Sequence, residues 1–284
     1  MNKKVRILLM ALLAGVMLVS CVKIVSSLLR SRAEAAAFEE LAALTRMQGN
    51  QAAQTPESEA APGASGATEA TDSRAVEGAG TELAPIGAEP AASDPESAAI
   101  FTRNLAPLFA RNSDCIGWLS IADSSIDYPV MHTPQEPEKY LHLDFDGEYS
   151  ASGVPFLQYN CSLDSDNLII HGHNMKNGAM FRVLLSYREK SYGTAHSTIE
   201  FETARGLKSY SLYAVVQVPE SDPWLQFVEA EDAADFSEQI AAIGPNAFYT
   251  IGEPPQLGQQ LLTLSTCYGS NNAYRLLIIA VEEA

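Results

Sequence analysis

The sequence predicts a mainly β domain, a barrel or sandwich with added helices, preceded by an N-terminal transmembrane helix and a disordered tether. Three observations predict it. The N-terminus is one long apolar run behind basic residues. A stretch of about fifty residues then loses nearly all its aromatic and basic side chains. From Ala98 onward, short β-type runs recur between turn signals, as in barrels and sandwiches.

Residues 1–31 read as a membrane anchor. Lys3, Lys4 and Arg6 precede the apolar residues from Ile7 to Val22; Lys23 interrupts the run, and Ile24 to Leu29 resume it. The combined run of about 23 residues is long enough for a hydrocarbon core of roughly 30 Å at about 1.5 Å per residue. The basic flank predicts a cytoplasmic N-terminus and an extracytoplasmic bulk, so a single-pass protein of the cell membrane. "LVSC" at Leu18 to Cys21 also reads as a lipoprotein cleavage box, with anchoring through Cys21. The residues after Cys21 stay apolar, and the length of the whole run favours an uncleaved anchor.

Residues 32–47 are alanine-rich and predict a juxtamembrane helix, with Phe38, Leu41 and Leu44 at three-residue spacing. Residues 48–97 are Ala, Gly, Pro and Glu-rich, with Arg74 as their sole basic residue. They predict a disordered linker with an average reach of roughly 40 Å. Residues 98–284 read as the folded domain. Its strand candidates are "GWLSI", "DYPVM", "GVPFLQY", "NLIIHG", "STIEFET", "SYSLYAVVQV", "AFYTI", "QLLTLST" and "RLLIIAV". Two segments read as helices. "NGAMFRVLLSYRE" places Met180, Val183, Leu184 and Tyr187 on one side. "EDAADFSEQIAAI" places Phe236 and Ile240 at i, i+4 behind an acidic first turn.

The chain has 284 residues, 46% hydrophobic and 19% charged, with a formal net charge of −17. That charge argues against nucleic-acid binding, which needs a basic face. The four cysteines are Cys21, Cys115, Cys161 and Cys267; their spacing gives no zinc pattern, and neither a metal nor another cofactor is expected.

Cys267 leaves an apolar strand for the polar loop Tyr-Gly-Ser-Asn-Asn, and Arg275 opens the next strand. A thiol in that setting reads as reactive or as a small buried hydrophobe. A thiol nucleophile needs a proton-transfer partner, commonly histidine, and acyl transfer needs a group for the developing oxyanion, a task that suits arginine. Of the histidines at 132, 142, 171, 173 and 196, His171 and His173 leave a strand together. Alternation sends both to one face if the strand continues that far. No aspartate is evident as a third member.

"TLSTC", Thr263 to Cys267, with Arg275 opening the following strand, resembles the sortase active-site signature. "GHNMKNGAMF", Gly172 to Phe181, resembles the histidine segment of class B sortases. "GWLSIADSSIDYPVM", "YLHLDFDGEYSASGVPF" and the acidic helix between two late strands resemble the same class. The resemblance covers roughly residue 98 to the end. It implies an eight-stranded sortase β-barrel and a membrane-anchored cysteine transpeptidase. Cys267 would attack a Thr–Gly or Thr–Asn bond in the sorting signal of a surface protein and form a thioacyl enzyme. His173 would transfer protons and Arg275 would hold the oxyanion. Ser265, Thr266 and Asn174 would contact substrate. An amine on a peptidoglycan precursor or a pilin would resolve the thioester. His171 stands where class B members often carry tyrosine, and Gln158 where aspartate is common. The alternatives are an inactive or purely hydrolytic membrane-tethered module, or a lipoprotein held through Cys21.

Overall fold

The computed structural model describes residues 3–46 and 100–283; the linker expected over 48–97 lies outside the described residues. Helix α1 (Lys3–Thr45) is one uninterrupted helix that carries both the apolar run and the alanine-rich segment, with Cys21 inside it. From Leu12 to Arg30 its residues are exposed. Partial or full burial then falls on Ser31, Glu34, Phe38, Leu41, Ala42 and Thr45. That spacing follows the 3.6-residue period of a helix lying against a surface. The expected three-residue stripe drifts off this face: Leu44 is 44% exposed, whereas Leu41 and Ala42 enter the core.

After α2 (Ala106–Arg111), the chain forms β1 (Cys115–Ser120), β2 (Asp127–Met131), β3 (Phe156–Leu157) and β4 (Asn167–His171). Short α3 (Lys190–Ala195) precedes β5 (Thr198–Thr203) and β6 (Gly206–Pro219). Then come α4 (Ala233–Ile243), β7 (Ala247–Thr250), β8 (Leu261–Tyr268) and β9 (Tyr274–Glu282). The sheet order is β5-β1-β2-β3-β4-β8-β9-β6, and β6 returns to pair with β5. Eight strands therefore close into a barrel, and β7 adds to the free end of β6. The β2–β3 and β4–β8 pairs are parallel; the others are antiparallel. Closure leaves the barrel without a free edge.

The apolar runs of β6 and β9 are continuous because both their faces are buried. Val215, Leu276 and Ile278 point into the barrel with Leu119, Ile170 and Leu264. Val216, Leu277 and Ile279 point outward, beneath Phe236, Ile240 and Trp224. Asp232 caps α4 by accepting from the amides of Ala234 and Asp235, which fixes that cover. A third cluster joins Leu41 and Ala42 of α1 to Leu108, Trp118 and Tyr140.

One expected helix differs. The segment read as helical from 177 is a 3-10 turn over Phe181–Arg188 followed by α3. Its buried residues are Phe181, Leu184 and Tyr187, the three-residue repeat of a 3-10 helix. Its start is set from outside: Met180 adopts a φ of 54°, its amide donates to Tyr128 Oη, and the Phe181 amide donates to the His173 carbonyl.

Candidate active site

The site lies at the C-terminal ends of β4 and β8. In their parallel register His171 stands beside Ser265. Beyond β4 the chain stays on β8. The Gly172 amide donates to the Ser265 carbonyl at 3.1 Å, and Thr266 Oγ1 donates to the Gly172 carbonyl at 2.8 Å. Gly172 is required there, since a Cβ would lie 2.6 Å from the Phe181 ring. His173 follows, carried alongside the end of β8 where Cys267 sits. On the other side of β8, Cys267 and Arg275 are opposite partners in the β8–β9 ladder. The loop joining them turns through positive φ at Gly269, Asn271 and Asn272, which suits glycine and asparagine.

Cys267, His173 and Arg275 line one cleft of about 630 Å³ together with His171, Ser265 and Glu220. His173 contacts the Leu141 carbonyl through Nε2 at 2.9 Å and stacks on His142, ring centroids 5.4 Å apart. A carbonyl oxygen only accepts, so Nε2 carries a proton and Nδ1 remains for exchange. Burial pushes the His173 imidazole below its ordinary value, and His142 pushes in the same direction, against the Leu141 contact. Arg275 donates from Nη1 to the carbonyls of Asn272 and Tyr274 and from Nη2 to Glu220 Oε1 at 2.6 Å.

Of the residues expected to contact substrate, Asn174 donates its amide to the Cys267 carbonyl at 2.9 Å and accepts from Arg182 at 3.0 Å. Ser265 and Thr266 are each 1% exposed, and Ser265 Oγ has no hydrogen-bond partner. The two histidines do not share the strand alternation, because β4 ends at His171. His171 turns to Gln158, Nε2 to Oε1 3.0 Å, and lies 5.5 Å from the Phe156 ring. Burial, with Arg275 nearby, lowers it to about 4.

A family profile described as "Sortase domain" matches residues 119–283, more than half of the chain. The chain belongs to the sortase family. Sortase B of Listeria monocytogenes serovar 1/2a is 34% identical over 161 residues, 55% of this chain and 63% of that protein. Sortase B of Staphylococcus aureus is 25% identical over 173 residues, 60% of this chain and 70% of that protein. Among solved structures, sortase B from Listeria monocytogenes matches with a TM-score of 0.55 at 29% identity, covering 63% of this chain and 99% of that one. A Staphylococcus aureus sortase B–substrate complex matches with a TM-score of 0.58 at 24% identity, covering 62% and 83%. The similarity is thus to class B, and the match spans 63% of the length of the first of these relatives.

This sortase keeps its other described thiols out of the cleft. Cys115 and Cys161 are buried and unpaired in separate clusters, and burial pushes them up to about 12 and about 11. Cys21 lies in α1. Among the described residues no group of three or more His, Cys, Asp or Glu could hold a metal ion. Sequence reasoning missed two functional neighbours in the sortase cleft, His142 and Glu220. His142 was visible only as one histidine among five, and a glutamate in the turn "PESDP" carries no pattern.

Proposed function

We propose that this chain is a membrane-anchored class B sortase transpeptidase that joins a sorting-signal protein to an amine through a thioacyl enzyme. One observation carries the reading: Cys267 stands opposite Arg275, in one cleft with His173, and the residue after His173 is bonded to the Cys267 carbonyl. The Cys267 thiolate attacks the carbonyl carbon of the scissile peptide, forming an S–C bond. Arg275 leaves Glu220 to hold the oxygen that gains charge, in the low-dielectric cleft where such a contact is strongest. As the C–N bond breaks, the leaving nitrogen takes the proton from Nδ1 of His173. In the second half, the acceptor nitrogen attacks the thioester carbon and gives its proton back to Nδ1, and the S–C bond breaks to restore the thiolate.

The working form pairs a thiolate with an imidazolium. Because burial disfavours a charged His173, that form is a minority near neutral pH, and turnover is slow with a bell-shaped pH profile. The clients are surface proteins bearing a sorting signal, and the acceptor is an amine of a peptidoglycan precursor or of a pilin. α1 crosses the cell membrane with its N-terminus in the cytoplasm.

The test uses the full chain in detergent with a panel of sorting-signal peptides, with and without an amine acceptor. Cleavage, product containing the amine, and a mass shift on the Cys267 peptide equal to the acyl fragment are expected. Undiminished cleavage after full labelling of Cys267 by a methanethiosulfonate probe overturns the mechanism.

A further inference from the structure

We propose that the loops Asp144–Ser150 and Asn174–Met180 lie in the lipid headgroup layer, so that the barrel rests on the bilayer with the His173 side of its cleft toward lipid. The inference rests on the reading of α1 as a transmembrane anchor. It goes beyond that reading, because an anchor alone leaves the position of the barrel open.

Distance along the helix carries the argument. The apolar run ends at Leu29, and Asn177 Nδ2 donates to Ser31 Oγ at 3.0 Å. Two helical residues advance about 3 Å. Each headgroup layer is roughly 5–8 Å thick, the difference between a hydrocarbon core of about 30 Å and a full bilayer of about 40–45 Å. The tip of the 174–180 loop is therefore inside that layer. A second loop reaches the same face of α1 about one turn further on. Ser150 and Ser152 donate to the two oxygens of Glu34, and Tyr149 and Arg30 line one cavity of about 220 Å³.

The side chains at this level suit headgroups. Tyr149 is 68% exposed; a tyrosine at the end of a membrane span is an interfacial anchor. Arg30, Arg32 and Lys176 are exposed at the same end, in a chain whose net charge is −17. Glu34 is bound to the two serines, and Asp146, though exposed, is paired with Arg111; Glu148 is the other exposed acid of that loop. Basic side chains over anionic headgroups are favourable. Because Asn174 begins the 174–180 loop and is bonded to the Cys267 carbonyl, lipid contact and the reacting centre share one short segment.

The test reconstitutes the full chain, with Cys21→Ala and Cys267→Ala, into phosphatidylethanolamine–phosphatidylglycerol vesicles that carry a headgroup-spin-labelled lipid. A fluorophore is placed by Tyr149→Cys, Lys176→Cys or Glu253→Cys. Glu253 lies in the exposed loop before Leu261, and Leu261 is roughly 20 Å along β8 from Cys267. Quenching at 149 and 176 several-fold stronger than at 253 is expected. Carbonate-resistant insertion with equal, weak quenching at all three sites overturns the seating and leaves the anchor reading standing. A chain that washes from the vesicles in carbonate overturns the anchor reading and the seating together.

Discussion

Asn174 donates its side-chain amide to the carbonyl oxygen of Cys267 at 2.9 Å, and its own oxygen accepts from Arg182. The bond ties the loop that begins after His173 to the end of β8 where the thiol sits. Asn174 thus acts by positioning. Asn174→Ala is expected to lower kcat about 10-fold, the equivalent of one hydrogen bond of about 1.4 kcal/mol. KM should stay within about a factor of two, since uniform substrate binding is untouched. Asn174→Asp removes the donor and should behave alike. Steady-state kinetics check this; a change confined to KM would make Asn174 a substrate contact.

The stacked pair His142–His173 predicts where one limb of the pH profile falls. His173 is held below its ordinary value near 6.5, chiefly by burial, and His142 pushes it further down. The working form needs a protonated His173 that exchanges its proton, so the limb of the profile set by His173 should fall below pH 6.5. His142→Gln removes a like charge from an imidazolium, so that limb should move to higher pH. His173→Ala should nearly abolish turnover. A kcat/KM–pH profile of each variant reads the shift.

His171 makes a stability prediction of its own. Its pKa falls from 6.5 to about 4 on folding, so between those values the unfolded chain binds more protons. Stability therefore declines as pH drops through this window, by an amount on the order of 2 kcal/mol. His171→Tyr removes the titrating group and should flatten the decline while leaving transpeptidation largely intact. Thermal melts between pH 7 and 4 decide it; an unchanged slope would assign the acid sensitivity elsewhere.

Arg275 should separate activity from stability. Its partner Glu220 is 65% exposed, and an ion pair in that setting is worth at most about 1 kcal/mol. Glu220→Gln should barely move Tm. Arg275→Ala should cost about 10²–10³-fold in kcat if the guanidinium holds the oxyanion. Arg275→Lys keeps the charge but loses the planar fork, so it should recover only part of that loss. Melts and single-turnover rates on the three variants make the comparison.

The strands were legible because a closed sheet buried on both faces writes long apolar runs between turns. "DYPVM" coincides with β2, and each of the other runs overlaps one strand. β3 shrinks to Phe156–Leu157 because it meets β2 through Met131 alone. Closure itself was not legible: β5 and β6 form a local hairpin, but β5 meets β1 across about eighty residues, a pairing that leaves no local mark. The 3-10 turn was misread because Met180 is set by Tyr128, fifty-two residues away in sequence. At the site, Cys267, His173 and Arg275 stood out through strand ends and motif. The Leu141 carbonyl, His142 and Glu220 arrive through tertiary contact, which spacing does not encode. The stripe on α1 was half legible: Phe38 and Leu41 face the barrel, but the helical period brings Ala42 and Thr45 in and turns Leu44 out.

Arg46 and Arg103 form an isolated antiparallel bridge, and the Asn104 amide donates to the Thr45 carbonyl at 2.8 Å. Glu202 locks the returning chain by accepting from the amides of Thr102 and Arg103. The end of α1 is therefore adjacent to Arg103, a few residues after the chain re-enters at Ile100. Within the described residues the link from anchor to barrel is α1. Replacing residues 48–98 by four Gly/Ser residues should leave the fold intact. The composition of 48–97 predicts a coil, and closing the shorter coil should stabilise the chain by up to about 2 kcal/mol. Starting the chain at residue 98 instead removes Leu41 and Ala42 from a core that includes Trp118 and Tyr140, and Leu41→Ala alone should cost about 2–5 kcal/mol. Chemical denaturation of the three proteins tests the arrangement. A lower midpoint for the excised chain than for the chain starting at residue 98 would mean that α1 does not dock on the barrel.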